Sequence, residues 1–410
     1  MHYTIDAPLA LNQTILLPSS KSISNRVLVM NKLSQSTIKP ENISDCDDTF
    51  VMQRALRDHA ELTDIMGAGT AMRFLTAYYA VTEGRTILTG TDRMLHRPID
   101  VLVDALRSLG ANIKYMNEDG FPPLQIEGQI LEGGEVSLQG DVSSQFTSAL
   151  LMVGPVMKKG LTIHLTGKIV SRPYIDLTLH LMNIYGANVY WEDSKTLRVL
   201  PTGYKPCTFR VENDWSAASY WYEIVALSRD KDACIILPGL LENSIQGDAQ
   251  VRKFFESLGV STTLSQGNVV LRKTDPKESK LDWNLENVPD LAQTLVVSCA
   301  MLNRPFKFSG LENLKIKETD RLKALKTEMA KFGFMIKISG RDTLSWDGKR
   351  GKPVDKIAID TYDDHRMAMA FAPCCMSLPH LKINNPEVVS KSYPKFWTDL
   401  RTAGFYLSDY

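Results

Sequence analysis

Apolar residues along this chain follow two periods. Stretches repeating every three or four residues predict helices, short β-branched runs predict strands, and glycines mark many of the joints. The stretch L-P-S-S-K-S-I-S-N-R at 17–26 reads as a strand end and a helix start: Pro18 stops the strand, Ser19 or Ser20 can cap, and Ile23, Val27 and Met30 share one apolar face. Five further amphipathic helices end in Gly followed by a short strand, at Gly110, Gly186, Gly259, Gly333 and Gly404, 71 to 76 residues apart. Each Gly suits the left-handed position that closes a helix, where a side chain would clash. The residues behind it are β-formers.

A second series interleaves with the first. Small or polar clusters open apolar helices at S-S-K-S-I-S-N-R (from 19), G-T-A-M-R-F-L (69), V-S-S-Q-F-T-S-A-L-L-M (142), W-S-A-A-S-Y-W-Y (215), P-D-L-A-Q-T-L-V-V (289) and D-D-H-R-M-A-M-A-F (363). The last four begin 73 or 74 residues apart. Two helices and several strands therefore recur with a period too long for a solenoid. The expected architecture is α/β (α+β), with a β-α-β-α-β-β unit used about six times. No Gly/Ser linker marks a boundary, and chain size favours two domains of three units over one body.

Bulk composition narrows the partners. Apolar residues make up 44% and charged residues 23%, ordinary for a globular protein. The formal net charge is zero, which disfavours nucleic acid or an anionic membrane as the main partner. Six cysteines, at 46, 207, 234, 299, 374 and 375, form no C-x-x-C pair and sit among apolar neighbours, as reduced core thiols in the cytosol would. The histidines are scattered without zinc-ligand spacing, so no metal is expected. The opening M-H-Y-T-I-D-A-P lacks signal-peptide character, and no apolar run reaches membrane-spanning length.

The chemistry gathers at helix starts. Lys21 stands at the opening of its helix, with Ser22 and Arg26 on one face. A helix N-terminus offers unpaired N–H groups and partial positive charge, so added cations and hydroxyls make an anion site. Thr70, Arg73, Ser143, Ser144, Gln145, Asp290, Asp364, His365 and Arg366 fall in the opening turns of the first helices. The second helices add Arg97, Ser171, Arg172, Lys317, Arg321 and Lys391. Were these ends to meet on facing domains, they would focus positive potential on a ligand with several anionic groups. Each residue also has a plain reading. Asp290 suits an N-cap, Glu318 and Arg321 suit a solvent-face pair, and Asp363 and Asp364 suit the helix dipole. Lys317 and Arg321 suit a cationic surface, Ser143 and Ser144 suit simple caps, and His365 suits a satisfied core histidine. Recurrence at one edge of the repeat is the argument for function.

The motifs P-S-S-K-S-I-S-N-R, A-G-T-A-M-R, L-T-G-x-x-R-M-x-x-R-P-I, D-V-S-S-Q-F, S-R-P-Y-I-D, K-E-T-D-R and D-D-H-R-M-A-M, distributed in order from 18 to 395, resemble the 5-enolpyruvylshikimate-3-phosphate synthase family. The resemblance implies two similar domains of three β-α-β-α-β-β units each, an enolpyruvyl transferase-like fold. It places the first at 18–211, with shikimate 3-phosphate-binding residues, and the second at 1–17 and 212–410, with phosphoenolpyruvate-binding and acid/base residues. It implies transfer of the enolpyruvyl group of phosphoenolpyruvate to the 5-hydroxyl of shikimate 3-phosphate, in the shikimate pathway of aromatic amino-acid biosynthesis. No cofactor is implied, and a cytoplasmic monomer is expected.

Carried over to matching positions, the resemblance puts shikimate 3-phosphate on Lys21, Ser22, Arg26, Ser143, Ser144, Ser171, Asp290, Asn313 and Lys317. It puts phosphoenolpyruvate on Lys21, Gly69, Arg97, Gln145, Arg321, Arg366 and Lys391. The implied catalytic residues are Asp290, which accepts the hydroxyl proton, Glu318, which serves the methylene carbon, and Lys21. Two carboxylates in different surroundings can divide such roles.

Two positions depart from the family pattern: Gly67 replaces the usual Asn before A-G-T-A-M-R, and Phe74 replaces the usual Pro after it. A bulky Phe74 could tilt the helix carrying Gly69 and Thr70, so sensitivity to the family inhibitor glyphosate does not follow. Two alternatives stand beside this reading. The related UDP-N-acetylglucosamine enolpyruvyl transferases usually carry a Cys in the loop matching Arg93–Arg97 and a Lys-Asn opening motif, and this chain has neither. A non-catalytic anion-binding relative would need no carboxylates at Asp290 and Glu318.

Overall fold

The computed structural model describes every residue except His59 and Tyr410. The chain divides into two compact units: Met1–Pro18 with Glu212–Tyr410, and Ser19–Val211. The chain passes between them twice, at Pro18/Ser19 and at Val211/Glu212.

One module is repeated within both. Among the described residues there are five four-stranded sheets, and all five share one strand order. In the sheet of Leu62–Asp64, Gly84–Thr89, Asn112–Tyr115 and Leu124–Gly128, the first two strands run parallel, with Leu62 opposite Ile87. The last strand lies antiparallel between the second and third, with Ile87 opposite Gln125 and Ile113 opposite Ile126. A helix joins the parallel pair, as a parallel connection requires, and a second helix leads to the closing hairpin. The sheets beginning at Gly134–Gln139 and Leu281–Asn284 repeat the scheme.

The N-terminal residues complete two modules of the later half. Asn12–Thr14 pairs in parallel with Cys234–Pro238, serving as that module's first strand. His2–Asp6 lies between Leu381–Asn384 and Tyr406–Asp409 as the last strand of the final module.

The first module in chain order, the one without a four-stranded sheet, differs. The helices Lys21–Leu33 and Asp47–Asp58 are present, but the sheet is reduced to an isolated bridge between Glu41 and Arg210. Pro40 and Pro206 each remove a ladder donor from these segments, which suits a bridge better than a sheet.

The first helix of a module is the buried one. Trp215–Leu227, Ala292–Met301 and His365–Phe371 pack together and are apolar almost all round. In the other unit Gly69–Val81 and Ser144–Val153 do the same, with Lys21–Leu33 against both. A helix apolar on every face can only be interior. Near their starts the partly exposed residues are polar: Thr70, Gln145 and Ser216. Gly110, Gly186, Gly259, Gly333 and Gly404 all have positive φ, as their closing role demands. No helix among the described residues is long and apolar enough to cross a membrane.

Glu212, where the chain enters the larger unit, is a buried carboxylate that accepts from four donors: Trp215 Nε1 (2.8 Å), Leu241 N (2.8 Å), Ser244 Oγ (2.7 Å) and Gln246 Nε2 (2.9 Å). Glu212→Ala strands all four donors, and we expect a stability loss of about 3 kcal/mol, read as a lower urea midpoint with an unchanged slope. An unshifted midpoint would show the four bonds to be energetically idle.

Candidate active site

In the unit of Met1–Pro18 and Glu212–Tyr410, the structure brings the sequence-predicted residues onto one guanidinium. Arg321, 2% exposed, is the first residue of the helix Arg321–Lys331. Its Nε donates to Asp364 Oδ2 (2.7 Å), its Nη2 to Asp364 Oδ1 (3.2 Å) and Glu318 Oε2 (3.1 Å), and its Nη1 to Asp290 Oδ1 (3.0 Å). The other oxygen of Asp290 accepts from Arg366 Nη2 (3.0 Å), and its main-chain oxygen accepts from Arg366 Nη1 (3.2 Å). The other oxygen of Glu318 meets Lys391 Nζ at 3.0 Å. Three cations and three carboxylates thus alternate across the starts of three helices. A buried charge is tolerable only when paired and hydrogen-bonded, and this arrangement meets both conditions.

Local sequence explains each placement. Asp364 caps its helix, accepting from Arg366 N (2.9 Å), so the carboxylate that fixes Arg321 also orients the backbone under Arg366. Asp290 is not a cap. It lies in the single turn Pro289–Leu291, which leaves its side chain to the arginines. Burial alone would raise its pKa, but Arg366, Lys317 and Arg321 hold the carboxyl well below the usual range. His365 is buried, with Nδ1 3.9 Å from Asp364 Oδ1. Asn313 lies in the turn Glu312–Ile316, with its Oδ1 buried and unmatched by any donor among the described residues.

In the unit of Ser19–Val211 the cations have other partners. Arg26, 2% exposed, donates to Thr178 Oγ1 (2.7 Å), Ser22 O (2.9 Å), Ser148 Oγ (3.1 Å) and Tyr174 O (3.5 Å), and its guanidinium lies 5.1 Å from the centre of the Phe74 ring. Its hydrogen-bond partners are neutral oxygens, and burial lowers its pKa to about 10. Lys21, first residue of its helix, pairs with Asp48 at 2.9 Å. Arg97 packs its guanidinium onto Gly69: a Cβ on that glycine would stand 2.6 Å from Nη1. Gln145 Nε2 donates to Thr70 Oγ1 (3.3 Å), which ties two helix starts together. Ser143 caps its helix through Gln145 N (3.2 Å), and Ser144 follows it, buried. Ser171 has φ +55, uncommon for a non-glycine residue, and its hydroxyl makes no cap bond. Arg73 is buried on Gly69 O (3.2 Å) and Pro98 O (3.2 Å). Phe74 is wholly buried beneath Arg26, within an unbroken helix.

Three expectations from spacing need correction. Lys317 lies outside the helix, with extended backbone after the turn Glu312–Ile316, so it does not share a helical face with Arg321. The Glu318–Arg321 pair forms, but on a buried guanidinium and not a solvent face. Arg97 precedes its helix, Asp100–Ser108, with its guanidinium against Gly69, and Lys391 likewise ends the turn Pro386–Lys391 ahead of its helix Phe396–Thr402.

Sequence reasoning also missed two carboxylates, Asp48 and Asp248. Both sit where a module's second helix opens, in the turn Gly247–Gln250 and at the start of Asp47–Asp58. The repeat locates Asp248, which stands about one period from both Ser171 and Arg321, but Asp48 falls outside that spacing. Asp248 is buried and accepts from Ser216 Oγ. Burial, with Asp290 nearby, pushes its pKa up to about 6 against the pull of Arg366.

The EPSP synthase (3-phosphoshikimate 1-carboxyvinyltransferase) family model matches residues 59–400. A Bacteroides fragilis protein named 3-phosphoshikimate 1-carboxyvinyltransferase is 53% identical over 405 residues, covering 99% of this chain and 98% of that protein. A solved structure of EPSP synthase from Acinetobacter baumannii aligns with a TM-score of 0.75 at 20% identity, covering all of both chains. The enolpyruvyl transferase NikO from Streptomyces tendae aligns with a TM-score of 0.74 at 14% identity, over 99% of this chain and 98% of that one. The two structures establish the two-domain fold.

The Asp248 carboxyl yields a pH prediction. Its folded pKa lies above the ordinary 3.8, so the native state keeps a proton that the unfolded chain releases between about pH 4 and pH 6. Stability therefore falls as pH rises through that window and levels above it. Relative to Asp248→Asn, the parent chain should lose about 2–3 kcal/mol between pH 4 and pH 6.5 in substrate-free denaturant titrations. Parallel curves for the two proteins would refute the raised pKa.

Proposed function

We infer the reaction from the family: this chain belongs to the EPSP synthase (3-phosphoshikimate 1-carboxyvinyltransferase) family, and it transfers the enolpyruvyl group of phosphoenolpyruvate to the 5-hydroxyl of shikimate 3-phosphate, releasing phosphate. It is a transferase of the shikimate route to aromatic amino acids. The alternation of Arg321, Arg366 and Lys391 with Asp290, Glu318 and Asp364 is the observation that carries the residue assignments.

In our reading Arg321, Arg366 and Lys391, with Gly69, Arg97 and Gln145, hold phosphoenolpyruvate. Ser22, Arg26, Ser143, Ser144, Ser171, Asp290, Asn313 and Lys317 hold shikimate 3-phosphate, and Lys21 serves both. Arg26 supports this: a buried cation whose hydrogen-bond partners are neutral oxygens attracts an anionic substrate, and its fixed donors need no reorganisation.

The reaction adds, then eliminates. Asp290 takes the proton of the 5-hydroxyl as that oxygen bonds to C2 of phosphoenolpyruvate, and Glu318 delivers a proton to the C3 methylene. In the tetrahedral adduct the bond from C2 to the phosphate oxygen then breaks. The phosphate departs with the proton Asp290 had taken, and C3 returns its proton to Glu318 to restore the double bond. Without substrate, Asp290 is a weak base, because Arg321 and Arg366 stabilise its ionised form. The anionic groups of phosphoenolpyruvate compete for those guanidiniums and loosen their hold on Asp290. Its proton affinity then rises when the base is needed. Cytoplasmic location and a monomeric state belong to the same reading; six free cysteines, five of them buried, suit a reducing compartment.

Phosphate release from phosphoenolpyruvate should require shikimate 3-phosphate and should not occur with UDP-N-acetylglucosamine or with neither acceptor. Asp290→Asn should lower turnover roughly 10²–10⁴-fold while KM values move only a few-fold; full turnover would remove Asp290 as the base. Gly69→Ala forces Arg97 to shift and should raise KM for phosphoenolpyruvate about tenfold, with KM for shikimate 3-phosphate nearly constant. Equal shifts in both constants would place Arg97 elsewhere.

A further inference from the structure

The segment that delivers Asp364, His365 and Arg366 is held in an uncommon conformation. Tyr362 and Asp363 are consecutive non-glycine residues with φ +54 and +53. Left-handed residues of this kind persist only where the surroundings over-determine them. Here the surroundings are identifiable, and they lie on the helix that carries Arg321.

Glu328 is fully buried on that helix, seven residues after Arg321. Two helical turns separate the two, so they project from nearly the same face. Glu328 Oε1 accepts from Tyr362 Oη (2.7 Å), and Oε2 accepts from Asp360 N (3.1 Å). Lys331 Nζ neutralises the carboxylate at 2.7 Å and also reaches Asp360 Oδ2 (2.9 Å) and Ala358 O (2.8 Å). Asn384 Nδ2 donates to Asp360 Oδ1 (2.7 Å). Four residues on, Arg321 takes both oxygens of Asp364. One helix face thus grips the 360–364 turn at two places: Glu328 holds its first half and Arg321 its second.

We propose that Glu328 and Tyr362 are positioning residues for phosphoenolpyruvate: they hold the left-handed turn so that Asp364 and Arg366 are set in register with Arg321. Neither touches the reacting atoms. Tyr362 is 37% exposed, and Tyr362→Phe keeps the ring and removes only its hydroxyl bond to Glu328. Glu328 is the buried half of the device. Without the hydroxyl bond the strained turn can relax, and Arg366 moves with it. Misplacement of a binding group by a fraction of an ångström is enough to weaken substrate positioning.

The proposal rests on Arg366 and Arg321 holding phosphoenolpyruvate, so the test includes Arg366→Ala. In steady-state assays of the full chain, Tyr362→Phe should raise KM for phosphoenolpyruvate roughly threefold to tenfold with KM for shikimate 3-phosphate nearly unchanged, while the melting temperature falls by only a few degrees, about what one lost hydrogen bond costs. Glu328→Gln keeps an acceptor for Tyr362 and should lie between the parent and Tyr362→Phe. Unchanged KM for phosphoenolpyruvate in Tyr362→Phe overturns the proposal. So does a rise in both KM values in step with a fall in melting temperature, which marks a merely structural bond. If Arg366→Ala leaves KM for phosphoenolpyruvate unaltered, the underlying assignment fails. If Arg366→Ala raises it and Tyr362→Phe does not, the positioning role alone fails.

Discussion

Arg321 is the constraint on which the larger unit's site depends. A guanidinium that is 2% exposed must find partners for its donors, and it finds three carboxylates on separate segments: Asp290 before one helix, Glu318 before its own, and Asp364 at the cap of a third. Burying such a group costs several kcal/mol, and its ion pairs repay this only if the geometry is good. The network is therefore better understood as a device for arrangement than as a source of stability. It forces three helix starts to agree on position before any substrate arrives.

The two units partner their buried arginines differently. Around Arg321 and Arg366 the protein supplies its own carboxylates, so positive charge is stored in pairs that an incoming anion can exchange. Around Arg26 it supplies hydroxyls, carbonyls and the face of Phe74, so the charge stays uncancelled and the geometry is fixed by neutral groups. In the proposed reading the first arrangement couples anion binding to the basicity of Asp290. The second provides long-range attraction and fixed donors. Phe74, a departure from the family pattern, fits without breaking its helix because its ring fills the interior beneath Arg26.

Repetition makes this economical. Five sheets share one strand order, and the first helices of the modules are buried. Within the larger unit the side chains that meet on Arg321 come from helix openings and from the short turns just before them. The helix ending at Lys331 adds one feature outside the repeat logic, since Glu328 turns the same helix face into a second anchor for the strained 360–364 turn.

The sequence by itself determined the period, the closing glycines, the buried first helices and the family motifs, because these are local: a left-handed glycine, an apolar face and a cap are each decided within a few residues. It also marked Arg26, Arg97, Arg321 and Arg366 as cations at helix openings. Only the tertiary structure decided which carboxylate meets which cation, that the first module carries a bridge in place of a sheet, and that His2–Asp6 completes the last one. Asp48, Asp248 and Glu328 acquire meaning from neighbours that lie 27, 32 and 34 residues away along the chain. Contacts of that span are set by how helices and sheets pack, and no local pattern of polar and apolar residues encodes them.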